Sequence, residues 1–409
     1  MAPTDLPGSP DVVVGAGVAG AMVAPRQAPD PVAGLPLGYL DRTIAETFTP
    51  RGDRMLTEPV ARDSRVHDGR PPCCGNDNVM PIRPIAAQVS GIHAGQRAAA
   101  GGAPVVPETV AQFVELAGAG CTQAAHVLRP DGSEWRAREA QIVLAADGIE
   151  TPRLVLMSAQ AGAPDGLGNA GGALGGNLMD HPGPPVVFDM PRPVWPGRGP
   201  QETTSILTWR DGRVRSDVAA NKLHLSNGSS VGSDPEEKIE QGLTGTQLGA
   251  AVRDTAARRR AIDNVHEQLP EWTNRLTLSG RADPRGRPGP AIHREVGDHV
   301  RGSAAHAAEV YRDIVDVPGA ELVSVGDGSD GFAKDNPIMG GTIMGENSGD
   351  SVPGDSVVDA ETRLHGVETL RLALSSVFPS SARVNASLTV AALALRTADS
   401  VEARQRGGR

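Results

Sequence analysis

The sequence predicts an α/β protein, α+β overall, in which a discontinuous Rossmann-like domain is joined by a second domain built on an antiparallel sheet. Three observations predict it. Asp11 to Gly20 read DVVVGAGVAG, a β-branched strand running into a glycine turn. Ile142 to Ser158 read IVLAADGIETPRLVLMS, a continuous apolar run followed by a tight turn and a helical stretch. Such a run suits a strand buried in a parallel sheet. Elsewhere, short strand patterns separated by turn residues point to antiparallel pairing.

The first unit carries GxGxxG at Gly15, Gly17 and Gly20. Small residues there let a turn close tightly and let backbone N–H groups approach a pyrophosphate at a helix N-terminus. A glycine-rich turn of any α/β protein is the competing reading. The support behind the turn is thin. Pro25, Pro29, Pro31 and Pro36 interrupt the following segment, and proline removes donors inside a helix. Asp30 and Glu46, the nearest acids, follow no credible strand.

Residues 39–70 read as a poorly patterned helix and loop, and 71–84 as turns. The stretch from Val105 to Val143 predicts a small antiparallel sheet with a tight turn at Asp131–Gly132 and an exposed strand around Trp135. In the second strand–turn–helix unit, Thr151 suits the N-cap and Pro152 the first helical position. Gly162 to Gly176 reads as a flexible crossing between domains. From Pro184 to about Gly319, strands alternate with helices around Gly249–Ile262 and Asp298–Val315. The last apolar helix, Leu388 to Ala398, is expected to run about three turns. The expected division is 1–183 with 320–409 for the nucleotide side, and 184–319 for the substrate side.

Composition narrows the function classes. The chain has 409 residues, 50 of them Gly and 34 Pro, and only 3% aromatic, so a loop-rich fold is expected. A net charge of −10 without long like-charged runs argues against nucleic acid as a partner. There is no run of about 18 apolar residues, so no membrane-spanning helix is expected. The opening residues lack the basic and apolar regions of a cleaved signal. Three cysteines are not a disulfide framework. A cytoplasmic location is expected, or a periplasmic one only by export with a partner subunit.

Four phrases carry a family resemblance. NPIMGGTIMG (Asn336 to Gly345) and SVFPSSARVNASLTVAALALRTAD (Ser376 to Asp399) follow IVLAADGIETPRLVLMS and GGNLMDHPG (Gly175 to Gly183) in the same order. Together they resemble the glucose–methanol–choline (GMC) family of flavin-dependent alcohol oxidoreductases. CCGN, beginning at Cys73, and HEQLPEWTNRLTLS (His266 to Ser279) are similar to the flavoprotein subunits of bacterial gluconate, sorbitol and glucose dehydrogenases. The resemblance implies FAD, a CH–OH substrate such as a sugar, polyol or sugar acid, and an electron acceptor other than oxygen. It also implies a small subunit and a cytochrome c acceptor as candidate partners. Gly15, Gly17 and Gly20 would hold the pyrophosphate. Asn385 would orient the substrate and face the flavin, or simply cap the last helix.

This sequence departs from the family in ways that bear on chemistry. Pro337 stands where the family has the histidine that takes the alcohol proton, and it has no ionisable atom. The segment after the glycine turn is short. Asp147 takes a position the family fills with a small or uncharged residue, and a carboxylate there would repel a pyrophosphate. Val79 and Arg83 replace cysteines that bind an iron–sulfur cluster in some relatives; such clusters need thiolates, so Cys73 and Cys74 are expected to be ordinary thiols and no metal site is expected. Cys121 is expected to be a buried small hydrophobe. His181, His266, His293, His299, His306 and His365 are expected in structural roles, and none has zinc spacing. The expectation is therefore an FAD-dependent oxidoreductase weakened at its base. The alternative is a catalytically silent GMC-like protein or partner subunit that binds flavin poorly.

Overall fold

The computed structural model describes residues 4–5, 11–14, 35, 37–48, 55–58, 60, 62–75, 85, 87–88, 90–118, 120–138, 141–197, 200, 202–209, 213–228, 234–316, 319–326, 337–346, 356–381 and 384–407. Asp11–Val14, Gln141–Leu144 and Leu370–Leu372 form a three-stranded parallel sheet with Gln141–Leu144 at its centre. The predicted central strand is there, and all four of its residues are buried. Helix Asp147–Met157 follows it. Ala394 and Val401 of the last helix pack into the same core as Ile142, Leu144, Leu154 and Leu372.

That last helix runs Ser387–Gly407, 21 residues, and so extends well past the expected three turns. Its continuation is polar and charged, which hid it from a reading based on apolar runs. The helix after the central strand also begins earlier than expected. Asp147 adopts φ 73°, and its Oδ1 accepts hydrogen bonds from Ile149 N (2.7 Å) and Glu150 N (2.8 Å). Thr151 Oγ1 accepts from Ala146 N instead, and Pro152 lies inside the helix.

The predicted hairpin sheet is present as Val110–Gly118, Cys121–Leu128 and Glu134–Ala137, with Thr4–Asp5 added in parallel at its edge. Trp135 is half-buried there, under the Arg129 guanidinium 4.6 Å from its ring centre. Cys121 is half-buried rather than enclosed.

The second sheet has six antiparallel strands in the order Glu321–Val325, Val186–Asp189, Arg259–His266, Asn221–Ser226, Glu202–Ile206 and Met55–Thr57. Helix Tyr39–Phe48 and helix Asp298–Asp316 cover its apolar face through Leu40, Ile44, Ala307 and Tyr311. The poorly patterned 39–70 segment thus supplies a helix and an edge strand to this sheet, and residues 321–325 supply its other edge. The charged helix lies at Gly245–Arg258, and Arg259 begins the next strand.

Gly162 to Gly176 is not a flexible crossing. Leu167 and Leu174 are buried in the core, and Gly175 is held from both sides: its N–H donates to Gly341 O (2.7 Å) and its carbonyl accepts from Leu276 N (2.8 Å). The segment is irregular but held, with Gly175 pressed against the Leu276 backbone and Gly168 against the Leu364 side chain. Next to it, Met179 and Met339 exchange backbone hydrogen bonds of 2.9 and 2.8 Å. Gly341 N donates to Gly176 O at 2.9 Å. Thr342 N and Met344 N donate to Ser376 O and Val377 O. Three of the four phrases are therefore knitted into one block. Gly340 is the pinch point, with φ 77° and room for no side chain, since a Cβ would stand 1.8 Å from Asn177 O. Gly340→Ala is expected to lower stability by more than about 3 kcal/mol. Gly172→Ala, at φ 72° but facing open space, is expected to cost about 1–2 kcal/mol. Chemical denaturation of the two variants checks the difference.

Candidate active site

The strand Asn221–Ser226 reads NKLHLS and alternates in character. Side chains on a strand point to opposite faces in turn. Leu223 and Leu225 enter the apolar core of the six-stranded sheet, which puts Lys222, His224 and Ser226 together on the other face. All six residues are buried, so the polar set needs partners.

Lys222 is 2% exposed, and its Nζ lies 2.5 Å from Glu58 Oε1 and 2.5 Å from Asn385 Oδ1. Glu58 directly follows the edge strand Met55–Thr57, and Asn385 stands just ahead of the last helix. Asn385 itself is exposed, and its Nδ2 lies 3.5 Å from Glu202 Oε2. Glu202 in turn approaches His224, with Oε1 3.4 Å from Nε2. Asp263, opposite His224 on the neighbouring strand, has Oδ2 3.7 Å from the same nitrogen. Burial pulls the His224 imidazole down, but the Asp263 and Glu202 carboxylates outweigh it and raise its pKa above the ordinary histidine value. Six side chains, five from the six-stranded sheet and its edge and one from just ahead of the last helix, thus share one polar cluster.

Of the residues named from the sequence, Asn385 belongs to this cluster. Its side chain reaches across to the six-stranded sheet while its chain continues from the parallel one. Pro337 is half-buried at the start of the knitted block; Ile338 O, next to it, accepts from Ser375 Oγ at 2.6 Å. No acid–base group is present at position 337. Gly15, Gly17 and Gly20 lie outside the described residues. The strand leading to them ends at Val14 level with Leu144 and Leu372, so the three parallel strands finish along one row.

The Asp147 carboxylate lies at the start of the helix that follows the central strand. It is occupied by the first N–H groups of its own helix, where the helix dipole favours an anion.

The histidines divide by environment. His181 is 1% exposed, with Nε2 2.8 Å from the Ser381 carbonyl. Burial lowers its pKa, the nearby Lys222 charge adds to that, and the Ser381 bond opposes both. His266 is fully buried, and its Nδ1 donates to Ser303 Oγ at 2.8 Å, because that hydroxyl is itself donated to Ala219 O. Burial pushes its pKa down to about 3. His365 bonds Ser356 Oγ at 2.9 Å, His306 is exposed and His299 half-buried. Among the described residues no three His, Cys, Asp or Glu side chains group as a metal site, and Cys73 and Cys74 are free.

Sequence reasoning missed Lys222, Glu58, Glu202, His224 and Asp263. A signal existed for two of them: Lys222 and His224 alternate with leucines in a strand pattern. Nothing in the sequence says that their face is covered. The other three reach the cluster only through strand pairing.

Residues 270–394, a span that includes Pro337 and Asn385, match the family model described as GMC oxidoreductase. The chain is 38% identical over 379 residues to the fructose dehydrogenase large subunit of Gluconobacter japonicus, covering 92% of this chain and 68% of that one. The chain belongs to the GMC oxidoreductase family. As a member, it is an oxidoreductase. A 2-methyl-1,2-propanediol dehydrogenase of Mycolicibacterium austroafricanum is 25% identical over 389 residues, covering 90% of this chain and 67% of that protein. Among solved structures, pyridoxine 4-oxidase from Mesorbium loti superposes with a TM-score of 0.60 at 17% identity, covering 90% of this chain and 71% of that one. A formate oxidase variant of Aspergillus oryzae gives a TM-score of 0.60 at 14% identity, covering 78% of this chain and 64% of its own. These two share the GMC oxidoreductase fold.

His266 makes the stability of this GMC oxidoreductase depend on pH. The unfolded chain takes up a proton near the ordinary value of 6.5, whereas the folded site resists it until about 3. Stability is therefore lost as pH falls below 6.5, by up to about 1.4 kcal/mol per pH unit from this one group. Denaturation free energies measured between neutrality and mildly acidic pH are expected to show that slope, and His266→Gln is expected to flatten it.

Proposed function

We propose that this GMC oxidoreductase removes hydrogen from the CH–OH group of a sugar, polyol or sugar acid, with FAD as its cofactor and with turnover weakened by Pro337. The observation that carries the reading is the position of Asn385. It follows the parallel sheet, stands just ahead of the last helix, and has its amide held against Lys222 of the six-stranded sheet. This junction supports the reading, since alcohol oxidation brings a nucleotide-binding side and a substrate side together.

The residues present fit a flavin nucleotide. Val14, Leu144 and Leu372 end in a row, and ligands of open α/β sheets bind outside the carboxyl ends of the strands. Ala145 and Ala146 follow Leu144, so no large side chain rises between the central strand and its helix. By family likeness, Gly15, Gly17 and Gly20 would take the pyrophosphate. When bound, the flavin supplies the acceptor for the hydride. The related names support the substrate class: one relative is a fructose dehydrogenase and another a diol dehydrogenase. FAD modification is named for the formate oxidase of the same fold.

The protein's own groups account for binding, orientation and the handling of the hydroxyl proton. Asn385 would hydrogen-bond the substrate hydroxyl. The usual histidine base is missing at position 337, and a positioned base contributes about 10²- to 10⁴-fold. The small partner subunit draws support from the words "large subunit" in the fructose dehydrogenase name. A cytochrome c acceptor extends the same proposal. Pro337 favours one second reading, a catalytically silent partner subunit of the same fold.

Flavin absorbance of the purified chain, together with dye reduction by fructose, sorbitol, glucose and gluconate, separates the two readings. The expected outcome is near-stoichiometric flavin and slow turnover of at least one of these, with Pro337→His raising kcat about 10²-fold or more. A colourless protein that Pro337→His does not rescue would refute the oxidoreductase mechanism and leave the silent subunit.

A further inference from the structure

Asn385 has one neighbour that can only donate and one that, ionised, can only accept. An ammonium offers no acceptor, so the Asn385 atom 2.5 Å from Lys222 Nζ has to be its oxygen. An ionised carboxylate offers no donor, and the amide nitrogen accordingly faces Glu202 Oε2, 3.5 Å away. Both neighbours demand the same orientation of the amide. The row also has a direction in space. At one end Lys222 is 2% exposed and the Glu58 side chain 12%, while at the other end the Glu202 side chain is 30% exposed and Asn385 is open to solvent.

The open end presents an N–H beside a carboxylate at a separation that is the outer limit of a hydrogen bond. An amide nitrogen has two hydrogens, so one remains for another acceptor. A hydroxyl group requires just this pairing, since its oxygen accepts and its hydrogen donates.

We propose that Lys222 sets the polarity of Asn385, that Asn385 Nδ2–H and the Glu202 carboxylate together hold the reacting hydroxyl, and that Glu202 takes the proton for which position 337 has no base. This assignment rests on the reading of the chain as a CH–OH oxidoreductase. In the proton step the substrate O–H bond breaks, its electron pair stays on oxygen, and the proton bonds to Glu202 Oε2. The oxygen left behind is hydrogen-bonded by Asn385 Nδ2–H, whose own oxygen faces the Lys222 charge. The hydride half of the oxidation belongs to the flavin and is unchanged by this assignment. Glu202 is then a catalytic residue and Lys222 a positioning one. The charged and titratable groups around Glu202 are His224, with Asp263 behind it, and Lys222 across the Asn385 amide.

The test uses the flavin-loaded full chain with D-sorbitol and D-fructose as probes, read both by dye reduction and by calorimetric binding. Glu202→Gln keeps the side chain's size on an open edge. It keeps an acceptor oxygen and is expected to weaken probe binding only a few-fold, while kcat falls about 10²-fold or more. Adding Pro337→His to Glu202→Gln is expected to restore turnover, because the proton then has another base. Lys222→Met is expected to weaken probe binding and turnover together, without rescue by Pro337→His, and Lys222→Arg to recover part of both. Lys222→Met also strips Glu58 of its ammonium and lowers stability, so Glu202→Gln carries the decision. Unchanged kcat in Glu202→Gln, in a wild type that does oxidise a probe, overturns the inference and leaves the oxidoreductase reading standing. A flavin-loaded wild type that neither binds nor oxidises either probe, with or without Pro337→His, removes that reading and this inference with it.

Discussion

Lys222 is an ammonium ion held out of water, and the geometry of the candidate site depends on how it is neutralised. An isolated buried charge of this kind costs several kcal/mol, and its attraction to a partner repays that only with close geometry and further hydrogen bonds. Glu58 supplies the opposite charge and Asn385 a carbonyl oxygen, each at 2.5 Å. Glu58 comes from the edge of the six-stranded sheet, Lys222 from its interior and Asn385 from the start of the last helix. Satisfying one charge therefore brings together three segments that are far apart in sequence. The Asn385 side chain is held in place as a consequence of that electrostatic requirement.

A second constraint positions the chemistry from the other side. The 175–179 and 339–344 segments exchange backbone hydrogen bonds, and 342–344 bond onward to 376–377. This close approach is possible because Gly340 has no side chain to meet Asn177 O. Ser381 lies further along the last of these segments. Its carbonyl accepts from buried His181, and its hydroxyl accepts from Gln268 N at 2.8 Å. Packing and backbone bonding thus hold the chain as far as Ser381, and the charge network holds Asn385.

Much of the fold was legible because it rests on local patterns. VVV before a glycine turn and IVLAA before a helix marked two of the three parallel strands, and the hairpin sheet followed from turns such as Asp131–Gly132. The polar end of the last helix was not legible, since apolar periodicity fades where a helix leaves the core. The edge strand Met55–Thr57 was missed for a different reason: three residues carry no period, and the strand exists only because Glu202–Ile206 pairs with it. At the site, Asn385 was found through its phrase, whereas Lys222 and His224 looked like ordinary polar residues of an alternating strand. Their meaning comes from burial and from partners on other strands, which pairing and packing decide rather than sequence spacing. Asp147 has a role that its charge alone did not suggest: at positive φ at the start of its helix, its carboxylate accepts from that helix's own N–H groups.

Pro337 separates chemistry from folding. The backbone donors that knit its segment into the block are those of Met339, Gly341, Thr342 and Met344, and Ile338 contributes an acceptor. Proline lacks an N–H and fixes φ near −65°, which disrupts a chain only where that N–H is needed or another φ is required. Position 337 is half-buried and precedes the first bonded donor, so the ring sits there without removing a hydrogen bond from the block. Proline has no ionisable atom, so the block closes and the Lys222–Asn385 contact forms with no acid–base group at that position, and the donor–acceptor arrangement beside the six-stranded sheet stands independently of it.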